Sequence, residues 1–196
     1  MAGNYPLKRT RFKILASVLL ALGAAVALLL FWNQRSVGRV LDSYRGVPVY
    51  DNGLLFFRSY GKNYSENGYY FGQKWQCVEF IKRFYYQAKG HRMPEVMGHA
   101  KSFFDEGLPD GAFNARRGLI QYRNGSTNKP RPDDLIVFTD TKFGHVAIVT
   151  AVAEDSLAVI QQNIVSGTRQ RFSLVASNGH YFVTAPRRPA GWLREK

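Results

Sequence analysis

Three polar side chains, far apart along the chain, are of types that do covalent chemistry together. Cys77 is the only cysteine in 196 residues. With Val78, Ile81 and Tyr85 it repeats at helical spacing, with Phe80 and Phe84 alongside, so one face of a helix beginning near Cys77 is built to be buried. Glu79, Lys82, Arg83 and Gln87 fall outside that face. At a helix start, unpaired backbone N–H groups and the positive end of the macrodipole favour thiolate over thiol, which makes a nucleophile near neutral pH. The other reading of Cys77 is a buried structural thiol, because free cysteine is among the most buried residue types.

His145 opens Gly144-His145-Val146-Ala147-Ile148-Val149, an apolar, β-branched run that reads as a strand. Residues 157–163 read as a second strand ending in the amides Gln161, Gln162 and Asn163, after a turn at 154–156. Paired as a hairpin, the two strands bring His145 and Gln161 close across the ladder. Nucleophile, general base and orienting group then come from three elements.

These residues resemble the CHAP family of cysteine amidases and peptidases, within the papain-like and NlpC/P60-like group. Lys74-Trp75-Gln76-Cys77-Val78-Glu79-Phe80, Gly144-His145-Val146-Ala147-Ile148 and Gln162-Asn163 carry the resemblance. It is strongest to the amidase domain of glutathionylspermidine synthetase/amidases and runs over about residues 40–192. The resemblance implies an α+β fold of the papain-like CHAP kind, with a catalytic helix packed on an antiparallel sheet. It implies Cys77 as nucleophile, His145 as general base and the position of Gln161 as the group that orients the histidine. Glutamate normally stands at that last position. A glutamine carbonyl oxygen can accept the Nδ1–H of His145 and fix its tautomer without supplying a full charge. Asn163 matches an asparagine of the family and, two residues on along a strand, shares the face of Gln161. The implied reaction is amide hydrolysis through a thioester, with no metal or organic cofactor. The Cys77 backbone N–H is the expected oxyanion donor, with Gln76 and Tyr70 as side-chain candidates.

The remaining elements must position this set. Lys8, Arg9, Arg11 and Lys13 mark residues 1–13 as a basic tail, and an uncharged run follows over residues 14–32. That run is close to the roughly 20 residues that cross a bilayer and longer than a signal-peptide core of about 7 to 15. A single-pass anchor in the cytoplasmic membrane with an exported domain is the expectation. Small residues at 36–38 leave a cleaved signal peptide open. Residues 33–46 read as a linker and 47–193 as one domain. Within it, 47–50 reads as a strand returning through a turn to 54–57, 61–72 as an aromatic-rich loop, and 99–106 as a short helix ending at Gly107. Strands at 135–139, the histidine run, the glutamine run, 172–176 and 181–184 form an antiparallel sheet, with Trp192 packed on it and Leu193 and the charged tail exposed. The pair Asp133 and Asp134 belongs to a proline-initiated turn. His91 and His99 lack metal-ligand spacing, and His180 is a surface residue.

A formal charge of +13 persists in large part after the basic tail is set aside. Such a surface prefers polyanions. Cell-wall polymers and anionic lipid fit an exported, anchored domain, and no nucleic-acid-binding signature accompanies the charge. Peptidoglycan peptides are therefore the expected substrate, with a small amide such as a glutathione–polyamine conjugate as the alternative. A silent wall-binding protein is the third reading, motivated by the neutral Gln161. Oligomeric state is not legible.

Overall fold

A computed structural model describes residues 5–196, and these fall into two units divided between Val37 and Gly38. The first is helix α1, Tyr5–Ser36. The helix begins inside the stretch expected to be a basic tail, whose residues 1–4 lie outside the described ones. Within Thr10–Ser36 an 18-residue window has a mean hydropathy of 2.8 with none of it buried, so this span is long and apolar enough to cross a membrane.

The second unit is α+β. In chain order it contains strands β1 (Val40–Tyr44), β2 (Val47–Tyr50), β3 (Lys62–Tyr64) and β4 (Tyr70–Gln73), then helix α2 (Cys77–Lys89). There follow β5 (Ala112–Asn114), β6 (Leu119–Arg123), β7 (Leu135–Phe138), β8 (His145–Val152), β9 (Ser156–Ile160), β10 (Arg169–Ser177), β11 (His180–Thr184) and β12 (Pro189–Arg194). The eight strands from β5 onward form one antiparallel sheet in the order β11-β10-β9-β8-β7-β12-β6-β5.

Helix α2 begins at Cys77, as the periodicity requires, and stops at Gly90, which takes φ 65° and returns its N–H to the carbonyl of Tyr86. Phe80, Ile81, Phe84 and Tyr85 bury against Leu135, Val137, Val146, Ile148 and Ile160. The other sheet face carries a second core of Ile136, Phe138, Ala147, Val149, Phe172, Leu174 and Trp192. With both faces covered, β7 is apolar at every position rather than alternating.

Several expectations fail for non-local reasons. Residues 33–46 are not all linker, since β1 lies there and pairs with β2, while 54–57 form no return strand. The loop 61–72 contains the hairpin of β3 and β4. The helix expected at 99–106 is one 3₁₀ turn, Ala100–Phe103. Leu193 is fully buried rather than exposed, because β12 inserts between β7 and β6. Glu79, Lys82 and Arg83 are buried as well. Glu79 and Arg83 form an ion pair at 2.5 Å, and Lys82 donates to the carbonyls of Tyr70 and Val96. A charge can be buried where partners replace its water.

Candidate active site

Cys77 is the first residue of α2, with Gln76 as its N-cap in extended conformation. Its thiol meets the backbone N–H groups of Val78 and of Val146, the residue after His145. Side chains alternate along β8, so Val146 packs with α2 while His145 shares the opposite face with Phe138, the ring centroids 6.1 Å apart. Thiol and imidazole thus flank the His145–Val146 peptide at the rim of the sheet. Gly144 makes this entry possible. Its φ is +73°, and a Cβ there would come within 2.5 Å of the Lys101 nitrogen and 2.6 Å of the Phe138 oxygen.

His145 is 4% exposed. Its Nε2 lies 3.0 Å from Gln161 Oε1. Gln161 Nε2 donates to the Gly167 carbonyl at 3.3 Å and to Gln170 Oε1 at 2.9 Å, which fixes the amide with its oxygen toward the ring. Nε2 must therefore carry the proton, and Nδ1 keeps its lone pair. The expectation that Gln161 accepts from Nδ1–H is corrected: the bonded nitrogen is Nε2.

The resting charge state also differs from expectation. Burial pushes the Cys77 thiol up to about 11, against the pull of the backbone N–H groups and the Arg187 charge, although the residue keeps part of its surface in solvent. Burial lowers His145 to about 4, a fall that the Gln161 bond opposes and Arg187 reinforces. Without a carboxylate at position 161, the Gln161 bond and the Asp140 charge are too weak to offset desolvation of an imidazolium. The pair rests as neutral thiol and neutral imidazole.

Strand β9 ends at Ile160, so Gln161 and Asn163 do not share a strand face. Asn163 turns at φ 60° and bonds Gln76 Oε1, the Phe56 carbonyl and Asn52, with no bond to His145. Gln76 Nε2 donates to the carbonyls of Phe56 and Arg58, so its amide fastens the 53–58 loop rather than facing the thiol. Tyr70 packs on Tyr64 with centroids 5.2 Å apart, and burial raises its hydroxyl.

Two positioning arrangements were not read from the sequence. Gln162 accepts from the Tyr50 N–H at 2.7 Å and donates to the Gln76 carbonyl at 3.0 Å and to Glu79 Oε2 at 2.8 Å. Coming directly after Gln161, it clamps the start of α2 to the strand end that holds the histidine's partner. Its place in the amide cluster was a signal. Arg187, between β11 and β12, bonds Asp140 at 2.7 Å, with its guanidinium 5.7 Å from the Phe138 ring. Its charge acts on both Cys77 and His145. Nothing local marked it out.

The site thus holds a cysteine at a helix start and a strand-borne histidine bonded to an amide, and residues 68–163 match the CHAP domain family. Among curated proteins, the chain is 32% identical over 120 residues to the trypanothione synthetase of Crithidia fasciculata, covering 60% of this chain and 18% of that one. It is 32% identical over 127 residues to the bifunctional glutathionylspermidine synthetase/amidase of Escherichia coli K12, covering 57% of this chain and 20% of the relative. The chain thus spans about a fifth of the length of these relatives.

Proposed function

We propose that the chain is a cysteine amidase of the papain-like CHAP kind that hydrolyses amide bonds in peptidoglycan peptides, from a domain anchored to the cytoplasmic membrane by α1. The observation that carries the chemistry is the His145 Nε2–H held on Gln161, which leaves Nδ1 as a base beside the peptide that the Cys77 thiol touches. The Cys77 sulfur attacks the carbonyl carbon while Nδ1 takes the thiol proton. The tetrahedral adduct collapses to a thioester, the C–N bond breaks, and the imidazolium gives that proton to the leaving amine. Water then attacks the thioester with His145 as base, releasing a carboxylic acid and the thiol. The Cys77 backbone N–H, at the start of α2, is the proposed oxyanion donor.

The apolar stretch of α1 and the basic charge of the chain support an anchored, wall-facing domain. A small-amide substrate is favoured instead by the relative named glutathionylspermidine synthetase/amidase. A silent binding protein is favoured by the neutral residue at position 161. Incubating the protein and Cys77→Ala with purified peptidoglycan and with glutathionylspermidine separates the three. New amino termini from the wall, lost in Cys77→Ala, are the expected result; product from glutathionylspermidine alone selects the second reading, and product from neither the third. Protease treatment of intact spheroplasts tests location: digestion of the domain is expected, and protection would place it in the cytoplasm.

A further inference from the structure

A cavity of about 550 Å³ opens beside β3, β4 and the outer side of α2. Cys77 and His145 are not among its lining residues. Its walls include the rings of Tyr50, Trp75, Tyr64 and Tyr86, and Tyr64 stays half exposed at the mouth. Tyr50 and Trp75 pack with centroids 4.1 Å apart. Between the rings stand groups with unused hydrogen-bonding capacity: the exposed side chains of Glu66 and Gln87 make no hydrogen bond or ion pair among the described residues. The Asn67 Oδ1 accepts from Ser65 and from the Tyr86 hydroxyl, which leaves its Nδ2 donor free.

The chemistry of this lining narrows the ligand. The Arg83 guanidinium lies in the wall 4.8 Å from the Tyr50 ring centroid and is neutralised by buried Glu79. An incoming cation would meet a ring face already taken by a positive group. An apolar ligand would strand the carboxylate and amides without partners. A neutral ring compound with hydroxyls around its edge and C–H groups on its faces satisfies both kinds of wall at once, and the volume is in the range of small-molecule sites. We infer that this cavity is a saccharide subsite, taking two or so units of a glycan chain on its aromatic walls, with Glu66 and Gln87 bonding their hydroxyls.

The site is mechanically joined to the thiol end of α2. Trp75 lies two residues before Cys77, and the Tyr50 N–H bonds the same Gln162 that holds the Gln76 carbonyl. A glycan held here would lie against Trp75, in the segment that leads into Cys77. The inference deepens the cell-wall reading and rests on it for its biological sense, but binding itself needs no catalysis.

The test is a titration of the full chain, in detergent, with N-acetylglucosamine tetramer, followed by tryptophan fluorescence and calorimetry, with spermidine as the competing probe. Saturable tetramer binding is expected, with Tyr64→Ala and Glu66→Gln each weakening it by about tenfold. Cys77→Ala should bind as the parent does, so failure of amide hydrolysis and failure of sugar binding are read separately. Glu66→Gln changes an exposed, unpartnered side chain, so a weakened titration would not be a folding defect. No saturation up to about 10 mM, saturation by spermidine in place of the tetramer, or equal affinity in both variants would each overturn the inference.

Discussion

His145 Nε2 and Gln161 Oε1 stand 3.0 Å apart, and the Gly167 carbonyl on the far side of the amide decides which end of Gln161 faces the ring. That relay fixes the tautomer of a buried histidine without using a charge. It also leaves the imidazole with no carboxylate bonded to it, only the weaker pull of Asp140.

Gln161→Glu should reverse the second effect. A carboxylate at Nε2 favours the imidazolium, so the His145 pKa should rise by at least about a unit from its value of about 4. Turnover should be preserved or increased, provided Gln170 turns its amide N–H toward the new oxygen. NMR titration of the His145 ring checks this; an unmoved pKa or a large loss of turnover would mean that Gln161 is not the histidine's partner.

Acid should unfold the protein through the same residue. The folded pKa is about 4 against 6.5 for a free imidazole. Because it is lowered, its contribution to stability is complete above about pH 6.5 and is lost as pH falls toward 4, where the unfolded chain binds a proton that the folded one refuses. The difference is worth about 3 kcal/mol. Denaturant titrations from pH 7 to 4 should show this loss, and His145→Gln should flatten it.

Arg187→Gln removes a positive charge that acts on both groups. Both pKa values should rise, the thiol because its anion loses a favourable charge and the imidazole because its cation loses an unfavourable one. Several-fold slower alkylation of Cys77 near pH 9 is expected, together with a higher His145 pKa by NMR. Opposite movements of the two would show that Arg187 does not face the pair.

Glu79 is fully buried between Arg83, Asn63 and Gln162. Glu79→Ala should cost about 3 to 5 kcal/mol, since it leaves the Arg83 guanidinium buried without its partner. Glu79→Ala with Arg83→Met should recover part of that loss in thermal unfolding. An additive double variant would deny the coupling.

What could be read from the sequence was what is local. The amphipathic period placed the start of α2 at Cys77, and β-branched runs marked the β8–β9 hairpin, because each depends on neighbours a few positions away. The burial of Glu79, Lys82 and Arg83 depends on Pro48, Tyr70, Val96 and Gln162, none of which a helical period can see. The burial of Leu193 depends on β12 entering between β7 and β6, a pairing across most of the domain. Likewise the choice of Nε2 was hidden in the carbonyl of Gly167, and Asn163 was misassigned because the strand stops at Ile160.

The most direct test of the Cys77–His145 partnership is the pH profile of Cys77 alkylation by iodoacetamide, compared between the parent and His145→Ala. With Nδ1 as the base, the parent should react at pH 7 at least about a hundredfold faster than the variant, whose buried thiol should respond only at alkaline pH. Superimposable profiles would contradict the account, because the imidazole would then have no hold on the thiol proton.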